Sequence, residues 1–584
     1  MEKRYLVAVV LMFAVLYGYQ TLFVPKKPAS TRSVQAPQAQ QPGTTTAPGV
    51  IAAPEMTGQP ERQAGPAPAP VAEALVTDAA DREISVDTRK VHAVFSNRGA
   101  RLLHWVLKDY KDDRNQPLDL VPEAQNLPKP FSLVVADEAV TTRLNTALFK
   151  ASTTGNLVDA TREGVTLTFE FQDASGLEAR KVFSLSPDSY IVTFSATVAN
   201  NASTLNPAVM WGPGLGDVAS AAPSGGFFSG NRYARAPQAF YYHDGKVQRV
   251  AAGKIPGQPV QLGDFRFSGV EDHYFLTSTV LAGPHKITYE PMVIPAPGAT
   301  AGETFHYVSS TIEFAKGPQR VRYYFGPKDF DALKAIDGEF VRVIDFGMFA
   351  WLAVPLLGAL QWVHTYVGNW GWSIIVLTIL INLAMFPLRH KSVVSMRKMQ
   401  ELQPQLKAIQ DRYANLGVTD PAKQKMNSEV MELYRSKGVN PASGCVPMLL
   451  TMPVLFAFYA LLSEAVQLRG AHFGLWITDL SRQDPLYVTP VLMGLTMFWQ
   501  QWITPSSVDP VQQRMMMFMP IMFSFMFMWA PSGLVLYWFV SNLWAIGQQY
   551  FTTWLIGPPK VAVARPIAER RVKNAGSGKS PGAK

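Results

Sequence analysis

The feature that most constrains this chain is a run of 45 residues, from 515 to 559, that contains no charged side chain. About 20 apolar residues in an α-helix cross the ~30 Å hydrocarbon layer of a bilayer, so this run is long enough for two spanning helices. Pro531-Ser532-Gly533 interrupts it with a tight-turn sequence. We therefore predict two spans, 515–530 and 533–556, joined as a hairpin, and we exclude a wholly soluble protein.

Other apolar runs precede this hairpin. Residues 5–24 are longer than the apolar region of a cleaved signal peptide, so we interpret 1–27 as an uncleaved N-terminal membrane anchor. Further spans are predicted over 369–388, 443–463 and 486–504. With the hairpin, these runs predict a multi-span α-helical membrane protein with six spans.

The apolar run from 346 to 388 is too long for one span and leaves two interpretations open. It contains Pro355, Gly358 and a Gly368-Asn369 break. In the first interpretation, 341–366 is an interfacial amphipathic helix at the level of the headgroups, where aromatic residues accumulate, and only the second half spans. In the second, both halves span, which moves the domain before them to the cytoplasmic side.

Positive charge is concentrated in two segments of a chain whose net charge is +9. Residues 388–442 carry ten Lys/Arg against five Asp/Glu, and residues 558–584 carry seven against one. Basic short loops stay in the cytoplasm, so we predict a cytoplasmic helical hairpin over 389–442 and a basic cytoplasmic tail over 558–584. Counting spans backwards then places the N-terminus in the cytoplasm and 81–340 outside.

The composition changes between the anchor and the apolar core. Residues 28–80 are rich in Pro, Ala, Gln and Thr with few large apolar residues, which predicts a disordered linker. From 81 to 340, apolar and polar residues alternate, as in Val165-Thr166-Leu167-Thr168-Phe169, between Gly, Pro and Asn residues. This period of two predicts an all-β sandwich domain of short antiparallel strands.

The sequence lacks the patterns of a catalyst or a metal centre. Its one cysteine, Cys445, excludes an internal disulfide framework and a cysteine-rich zinc site. The pairs His243-Asp244 and Asp272-His273 have no metal-ligand spacing, and we interpret them as surface residues. The GSGKS at 576–580 lacks the first glycine of a phosphate-binding loop. We predict no catalytic residue, no cofactor and no metal.

From about 365 to 556 the chain carries an ordered set of short motifs. They include Gly368-Asn369-Trp370-Gly371-Trp372, Met385-Phe386-Pro387-Leu388, Asn440-Pro441-Ala442-Ser443-Gly444-Cys445-Val446-Pro447, Leu475-Trp476-Ile477-Thr478-Asp479-Leu480, Asp509-Pro510-Val511-Gln512-Gln513 and Pro531-Ser532-Gly533-Leu534-Val535-Leu536-Tyr537-Trp538. The set resembles the YidC-type membrane protein insertases. An anchor, a large outer domain and a five-span insertase core over 367–557 resemble the Gram-negative members, whose periplasmic domain is a β-supersandwich.

The resemblance implies an insertase and chaperone of membrane proteins in the bacterial inner membrane, which is not an enzyme. It implies nascent membrane proteins as clients, and the Sec translocon with its accessory subunits as partners. The basic loop and tail are expected to contact the ribosome or targeting factors, or anionic lipids, without reading a specific nucleic-acid sequence. Both termini are expected in the cytoplasm and residues 81–340 in the periplasm.

An insertase of this kind is expected to offer its clients a polar groove open to cytosol and lipid. One charge at the bilayer centre costs about 2.5–3.5 kcal/mol, so a wet path lowers the barrier for a polar flank. Polar residues four apart share a helix face. The predicted groove residues are Thr378, Asn382, Arg389, Thr451, Thr496, Gln500, Tyr537, Trp538 and Ser541. The alternative is that such residues only hydrogen-bond neighbouring helices.

Asn382 stands where members of the family typically carry an intramembrane arginine. A neutral amide does not attract an acidic segment by charge. Arg389 lies seven residues later, about 10 Å along the same helix face, and long cationic side chains extend towards polar surroundings. We hypothesise that Arg389 supplies the charge missing at position 382.

Two other classes of function fit parts of the sequence. A secondary transporter or channel predicts internal repeats and ionisable residues at the membrane midplane, whereas the mid-span residues here carry no charge. A membrane-tethered periplasmic carbohydrate-binding protein would use its spans only as an anchor. Deleting most of 90–310 separates that class from an insertase, whose activity is expected to remain with the helical core.

Overall fold

The computed structural model describes residues 73–112, 114–122, 127–216, 235–295, 304–413, 422–438, 446–504 and 510–557. The predicted anchor 1–27, most of the linker 28–80, the tail 558–584 and Cys445 lie outside these residues. In the described chain, strands come first and the long helices follow.

The described residues hold twenty-one β-strands between 74 and 327. In chain order they are β1 Ala74–Val76, β2 Glu83–Asp87, β3 Val91–Ser96, β4 Arg101–Lys111, β5 Pro117–Asp119, β6 Ser132–Val134, β7 Lys150–Ala151, β8 Leu157–Asp159, β9 Val165–Asp173, β10 Leu177–Leu185, β11 Ile191–Asn200, β12 Ser203–Leu205, β13 Ala208–Trp211, β14 Gln238–His243, β15 Lys246–Ala251, β16 Val260–Asp264, β17 Phe267–Glu271, β18 Phe275–Val280, β19 Pro284–Pro295, β20 Thr304–Phe314 and β21 Val321–Pro327.

The strands form three sheets within the described region. The largest has the order β1-β9-β10-β11-β21-β18-β17-β14-β15, with β12 paired to β11 and β7 to β9. Two five-stranded sheets have the orders β16-β19-β20-β13-β6 and β5-β4-β3-β2-β8. Neighbouring strands are antiparallel apart from the parallel pair β2–β8.

The core lies between the large sheet and the two smaller ones. Alternate residues of β9 are buried, as the period of two predicts for a strand with one face in a core. Phe95 of β3 contacts Phe183 of β10 at a ring distance of 4.8 Å, and Trp211 of β13 stacks on Phe325 of β21 at 4.1 Å. Both smaller sheets therefore pack on the large sheet, and the alternating pattern predicted the β-rich region correctly.

The prediction of an all-β domain is wrong at two short helices, α1 (Glu138–Thr146) and α2 (Phe330–Ile336). Each begins after an aspartate that caps it. Asp137 accepts hydrogen bonds from the backbone N–H groups of Ala139 and Val140, and Asp329 accepts one from Ala332 at 2.8 Å. An aspartate in this position satisfies N–H groups that a helix start leaves unbonded.

The linker prediction also extends too far. Ala74–Val76 lies inside the segment 28–80 but forms the edge strand β1, which pairs with β9. The hydroxyl of Thr77 donates to the carbonyl of Leu148 at 2.6 Å. The linker prediction rested on a composition poor in large apolar residues. Backbone hydrogen bonding to β9 orders these residues in spite of that composition.

Seven further helices follow in the described chain: α3 Ala350–Val367, α4 Trp370–Arg412, α5 Ala422–Ser436, α6 Val446–Glu464, α7 Val488–Ile503, α8 Pro510–Met526 and α9 Ser532–Ile556. Four of the predicted spans fall on α6 to α9. By length and composition, Gly347–Val367 and Trp370–Arg412 are apolar enough to cross a membrane, and Met452–Glu464 and Met516–Trp529 are shorter apolar helices. The total of six spans stays a prediction.

The segment 341–366 is not one helix as predicted. Short 3₁₀ turns occupy Phe340–Val343 and Gly347–Phe349, and α3 begins only at residue 350. Gly347 has a left-handed φ of 62°, which interrupts the helical path. The exposed residues of α3 include Trp351, Trp362 and Tyr366, so its outer face is aromatic rather than charged.

The second predicted span and the cytoplasmic hairpin share one helix. α4 runs for 43 residues and passes through Pro387 without ending. α5 packs back on it, with Arg412 donating to Glu429 at 3.0 Å and the Tyr413 hydroxyl donating to the same carboxylate at 2.7 Å. The helical hairpin predicted within 389–442 thus begins inside α4.

The β-rich region contacts the helices through buried polar groups. His273, which we predicted at the surface, is buried and its Nε2 donates to the carbonyl of Ser463 at 2.8 Å. Arg235 donates to Glu464 at 2.8 Å. The Asp272-His273 prediction is therefore wrong, because this pair fills the junction with the end of α6. The next segment also contacts the β-rich region, where Gln467 donates to Asp329 at 2.9 Å.

A buried carboxylate organises the connection between α6 and α7. Asp484 accepts hydrogen bonds from the Trp476 indole and the Leu486 N–H at 2.9 Å, and from the N–H and hydroxyl of Thr489 at 2.7 Å. Burial alone would raise the pKa of Asp484, but these donors hold its pKa below the usual range. Asp484 thus joins the loop at Trp476 to the start of α7.

Replacing Asp484 with asparagine is expected to destabilise the protein by about 2 kcal/mol at neutral pH, because an amide nitrogen then faces hydrogen-bond donors. The folded-state pKa is depressed, so the carboxylate stabilises the fold above pH ~4 and loses this effect as the pH falls through its folded pKa. Thermal unfolding in nanodiscs at several pH values measures the difference, which is expected to shrink as the pH falls through the folded-state pKa. The exposed Asp264→Asn is the control, and an equal effect of both changes would contradict the role.

Candidate functional site: a groove between four helices

A cavity of about 180 Å³ lies between α4, α6, α7 and α9. Its lining consists of Ile381, Asn382, Met385, Arg389, Val454, Leu455, Gln500, Tyr537, Trp538, Ser541, Asn542 and Ala545. Six predicted groove residues are among them: Asn382, Arg389, Gln500, Tyr537, Trp538 and Ser541. The cavity is polar on α4 and α9 and apolar on α6.

Helix α4 brings Asn382, Met385 and Arg389 to one face, because residues three, four and seven apart lie above one another. Asn369 caps the start of the helix, and its side chain accepts a hydrogen bond from the N–H of Trp372 at 3.2 Å. Asn382 is buried, and its amide donates to the carbonyl of Thr378 at 2.8 Å. An amide that donates this bond also carries a carbonyl oxygen, which can accept a hydrogen bond.

Helix α9 supplies Tyr537, Ser541 and Ala545 at a spacing of four. The ring of Tyr537 stacks on Phe458 of α6 at 4.4 Å, which fixes the wall on this side. The start of α9 is fixed by Gly533, whose N–H donates to the carbonyl of Leu480 at 2.9 Å. These contacts hold the polar face of α9 towards α4.

Two predicted residues, Thr378 and Thr496, are not among the described lining residues, and the structure does not describe the side chain of a third. The hydroxyl of Thr378 donates to the carbonyl of Ile374 at 2.6 Å, and that of Thr496 donates to the carbonyl of Leu492 at 2.9 Å. A hydroxyl bonded to the preceding turn is satisfied within its own helix. Thr451 belongs to α6, and its side chain lies outside the described residues.

Asn542 lines the cavity, although we did not predict it as a groove residue. Its amide lies 3.4 Å from both the carbonyl of Met493 and the hydroxyl of Thr496, so it joins α9 to α7. A spacing of four residues from Tyr537 predicts Ser541 on the same helix face and does not predict Asn542. The adjacent Ser541-Asn542 pair was the available signal.

Arg389 brings a positive charge to the cavity. No carboxylate of the described residues acts on its guanidinium. Asn382, Gln500 and Ser541 add neutral hydrogen-bonding groups. The cavity thus combines one cationic side chain with several neutral hydrogen-bonding groups.

These features define a class: a membrane protein with a β-rich domain, a bundle of apolar helices and a small polar cavity within the bundle. No cluster of three or more His, Cys, Asp or Glu residues that suits a metal ion occurs in the described residues. The family described as 60Kd inner membrane protein matches residues 362–556, and the YidC periplasmic domain matches residues 83–359. The chain belongs to the YidC family of membrane protein insertases.

Individual relatives agree with this membership over nearly the whole chain. The membrane protein insertase YidC of Geobacter metallireducens is 36% identical, covering 94% of this chain and 98% of its own length. That of Citrifermentans bemidjiense is 37% identical, covering 94% and 99%. A crystal structure of an active YidC insertase with its first transmembrane domain resolved aligns with a TM-score of 0.33 at 18% identity, covering 82% of this chain and 95% of that one.

Proposed function

We propose that this insertase inserts, folds and assembles membrane proteins in the inner membrane by receiving their polar segments in the cavity between α4, α6, α7 and α9. The observation that supports this proposal is the convergence of Asn382, Arg389, Gln500 and Ser541 on one cavity. The cavity then acts as a groove open to cytosol and lipid. Thr378 and Thr496 support its helices rather than lining it.

Insertion through such a groove is driven by the transfer of the client helix into the bilayer, so the proposal needs no nucleotide hydrolysis and no metal. A client helix of ~20 apolar residues at about −0.3 to −0.6 kcal/mol each gains on the order of −10 kcal/mol on entering the bilayer. The barrier lies in its polar flank, since one charge at the centre costs about 2.5–3.5 kcal/mol. A groove that hydrogen-bonds the polar flank lowers this barrier. The net free energy of insertion still comes from the transfer of the client's apolar residues into the bilayer.

The proposed orientation places 81–340 in the periplasm and both termini in the cytoplasm. Helix α3 supports it, because both of its ends lie on the side of the β-rich region. Gln361, about 16 Å along α3, donates to Asp331 of α2 at 2.8 Å. Asn369, just after α3, donates to the carbonyl of His472 at 2.9 Å, in the connection that contacts the β-rich region. This geometry favours an interfacial helix over a span.

The proposed partners follow from the surfaces on each side. Nascent membrane proteins are the clients, and the Sec translocon with its accessory subunits is a partner in the membrane. The hairpin of α4 and α5, together with the basic tail, is the proposed contact for the ribosome, targeting factors or anionic lipids. The ten Lys/Arg residues of 388–442 provide the charge for such contacts.

Filling the cavity tests the groove. Ala545→Trp places an indole in the lining of a cavity of about 180 Å³ and is expected to reduce insertion about fivefold, because the client loses its polar path. The measurement is protease protection of a single-span client added to liposomes that contain the purified protein.

Leu543→Trp is the matched control, since Leu543 is exposed on the opposite side of α9. It is expected to leave insertion close to the original rate. Equal insertion by both variants, with unchanged thermal unfolding, would contradict the groove.

A further inference from the structure

A leucine projects from the connection between α6 and α7. Leu475 is 88% exposed and has a left-handed φ of 54°, which is rare for a bulky residue. A bridge between Gly474 and Ile477 closes the tip around it. The connection thus presents a large apolar side chain to its surroundings at a cost in backbone energy.

Other exposed apolar residues lie at the end of α3, at the start of α4 and in the same connection between α6 and α7. Together with Leu475, we call them the outer platform: Trp362, Tyr366, Trp372 and Leu486. Trp362 contacts Tyr366 at a ring distance of 5.2 Å. Trp372 contacts Phe473, two residues before Leu475, at 5.7 Å. The platform therefore connects the end of α3, the start of α4 and the tip.

The tip is held rigidly on α4. A Cβ atom at Gly371 would lie 2.1 Å from the ring of Phe473, so the loop packs directly on the helix backbone. Asn369, which caps α4, donates to the carbonyl of His472. The position of Leu475 is thus fixed relative to the helix that carries Asn382 and Arg389.

We propose that the outer platform enters the headgroup–hydrocarbon boundary of the bilayer, with Leu475 inserted among the phospholipid chains. Contiguous exposed apolar surface requires a partner, and Trp and Tyr favour this depth of a membrane. Further exposed apolar residues lie along the same two helices, Trp351 on α3 and Leu380 and Leu383 on α4, which supports lipid as the partner. By anchoring α4 at its outer end, the platform sets the depth of the groove in the membrane. This inference rests on the proposed orientation in one respect. The orientation decides which leaflet of the bilayer the platform enters.

Fluorescence quenching measures this depth directly. Because Cys445 is the one cysteine, Cys445→Ser gives a background in which Leu475→Cys carries a single environment-sensitive dye. The full chain is reconstituted in vesicles of phosphatidylethanolamine and phosphatidylglycerol with or without spin-labelled lipid. We expect at least about threefold quenching of the dye and a blue-shifted emission.

Leu75→Cys is the matched control, because Leu75 is an exposed leucine, 62% accessible, that belongs to the β-rich region. It lies on β1, four strands from β21, the strand that leads towards the helices, and four strand spacings are roughly 19 Å. Leu486→Cys is the second test site if labelling at 475 disturbs the fold. Quenching at both platform sites no greater than at Leu75, with iodide reaching all three dyes equally, would overturn the proposal and leave the platform to a protein partner. No insertion reaction is needed, so failure of the groove proposal would not affect this result.

Discussion

Replacing Arg389 with glutamine is expected to reduce insertion of a client with an acidic translocated tail about tenfold, equivalent to about 1.4 kcal/mol. Arg389 lines the same cavity as Asn382, and no described carboxylate neutralises it. Its guanidinium is then free to form charge-assisted hydrogen bonds with an incoming Asp or Glu, which are roughly twice as strong as neutral ones. A client with a neutral tail does not use this charge, so its insertion is expected to change less than about twofold.

The measurement is insertion into liposomes of paired clients that differ only in the charge of the tail. Arg389→Lys keeps the charge and is expected to retain most of the activity. Asn382→Arg combined with Arg389→Gln returns a positive charge to the cavity two helical turns away and is expected to restore insertion of the acidic client. Equal loss for both clients, or no rescue by the double variant, would show that the charge of Arg389 is not what the client uses.

Replacing Glu271 with glutamine is expected to destabilise the β-rich region by about 3–5 kcal/mol, which corresponds to a fall of about 10 °C in Tm. Glu271 is fully buried and forms ion pairs with Arg249 at 2.7 Å and with Lys328 at 2.8 Å. Lys328 is itself buried, and glutamine would remove the carboxylate that forms its ion pair. A buried charge that loses its partner is among the most destabilising changes known for single residues.

The pH dependence follows from the same contacts. Burial alone would raise the pKa of Glu271, but Lys328 and Arg249 hold its pKa below the usual range. The ionised carboxylate therefore stabilises the fold above pH ~4.3, and this contribution is lost as the pH falls through the folded-state pKa.

Thermal unfolding of the full chain in nanodiscs at pH 7 and pH 4 measures both effects. Glu170→Gln is the matched control, because the Glu170–Arg180 pair at 3.4 Å is exposed and such surface pairs contribute less than about 1 kcal/mol. A Glu271→Gln protein as stable as the control at pH 7 would contradict the proposed role of the buried network.

Much of the fold was predictable because its signals are local in the sequence. The uncharged run 515–559 predicted α8 and α9, and the alternation in 165–171 predicted β9. The burial of Asp272 and His273 was not predictable, because it depends on α6 approaching from almost 200 residues away. Long-range contacts of this kind leave no periodic pattern.

The candidate site was predictable to the extent that helix geometry determines it. Residues at a spacing of three, four or seven placed Asn382 with Arg389 and Tyr537 with Ser541, and the structure brings both pairs to one cavity. The same spacing selected Thr378 and Thr496, which bond to their own helices instead. A hydroxyl's partner depends on its rotamer, which the sequence does not reveal.

Helix α4 carries the groove residues Asn382 and Arg389 and the first arm of the helical hairpin in one continuous element. At 43 residues the helix is about 65 Å long. Pro387 divides it into an outer arm that carries Asn382 and a second arm that carries Arg389 and continues into the helical hairpin. Pro387 lies between these arms and leaves the carbonyl of Leu383 without its helical N–H partner, so bending is easiest there. Bending at Pro387 would therefore change the separation of Asn382 and Arg389, while the outer end of α4 stays held through Asn369 and Gly371.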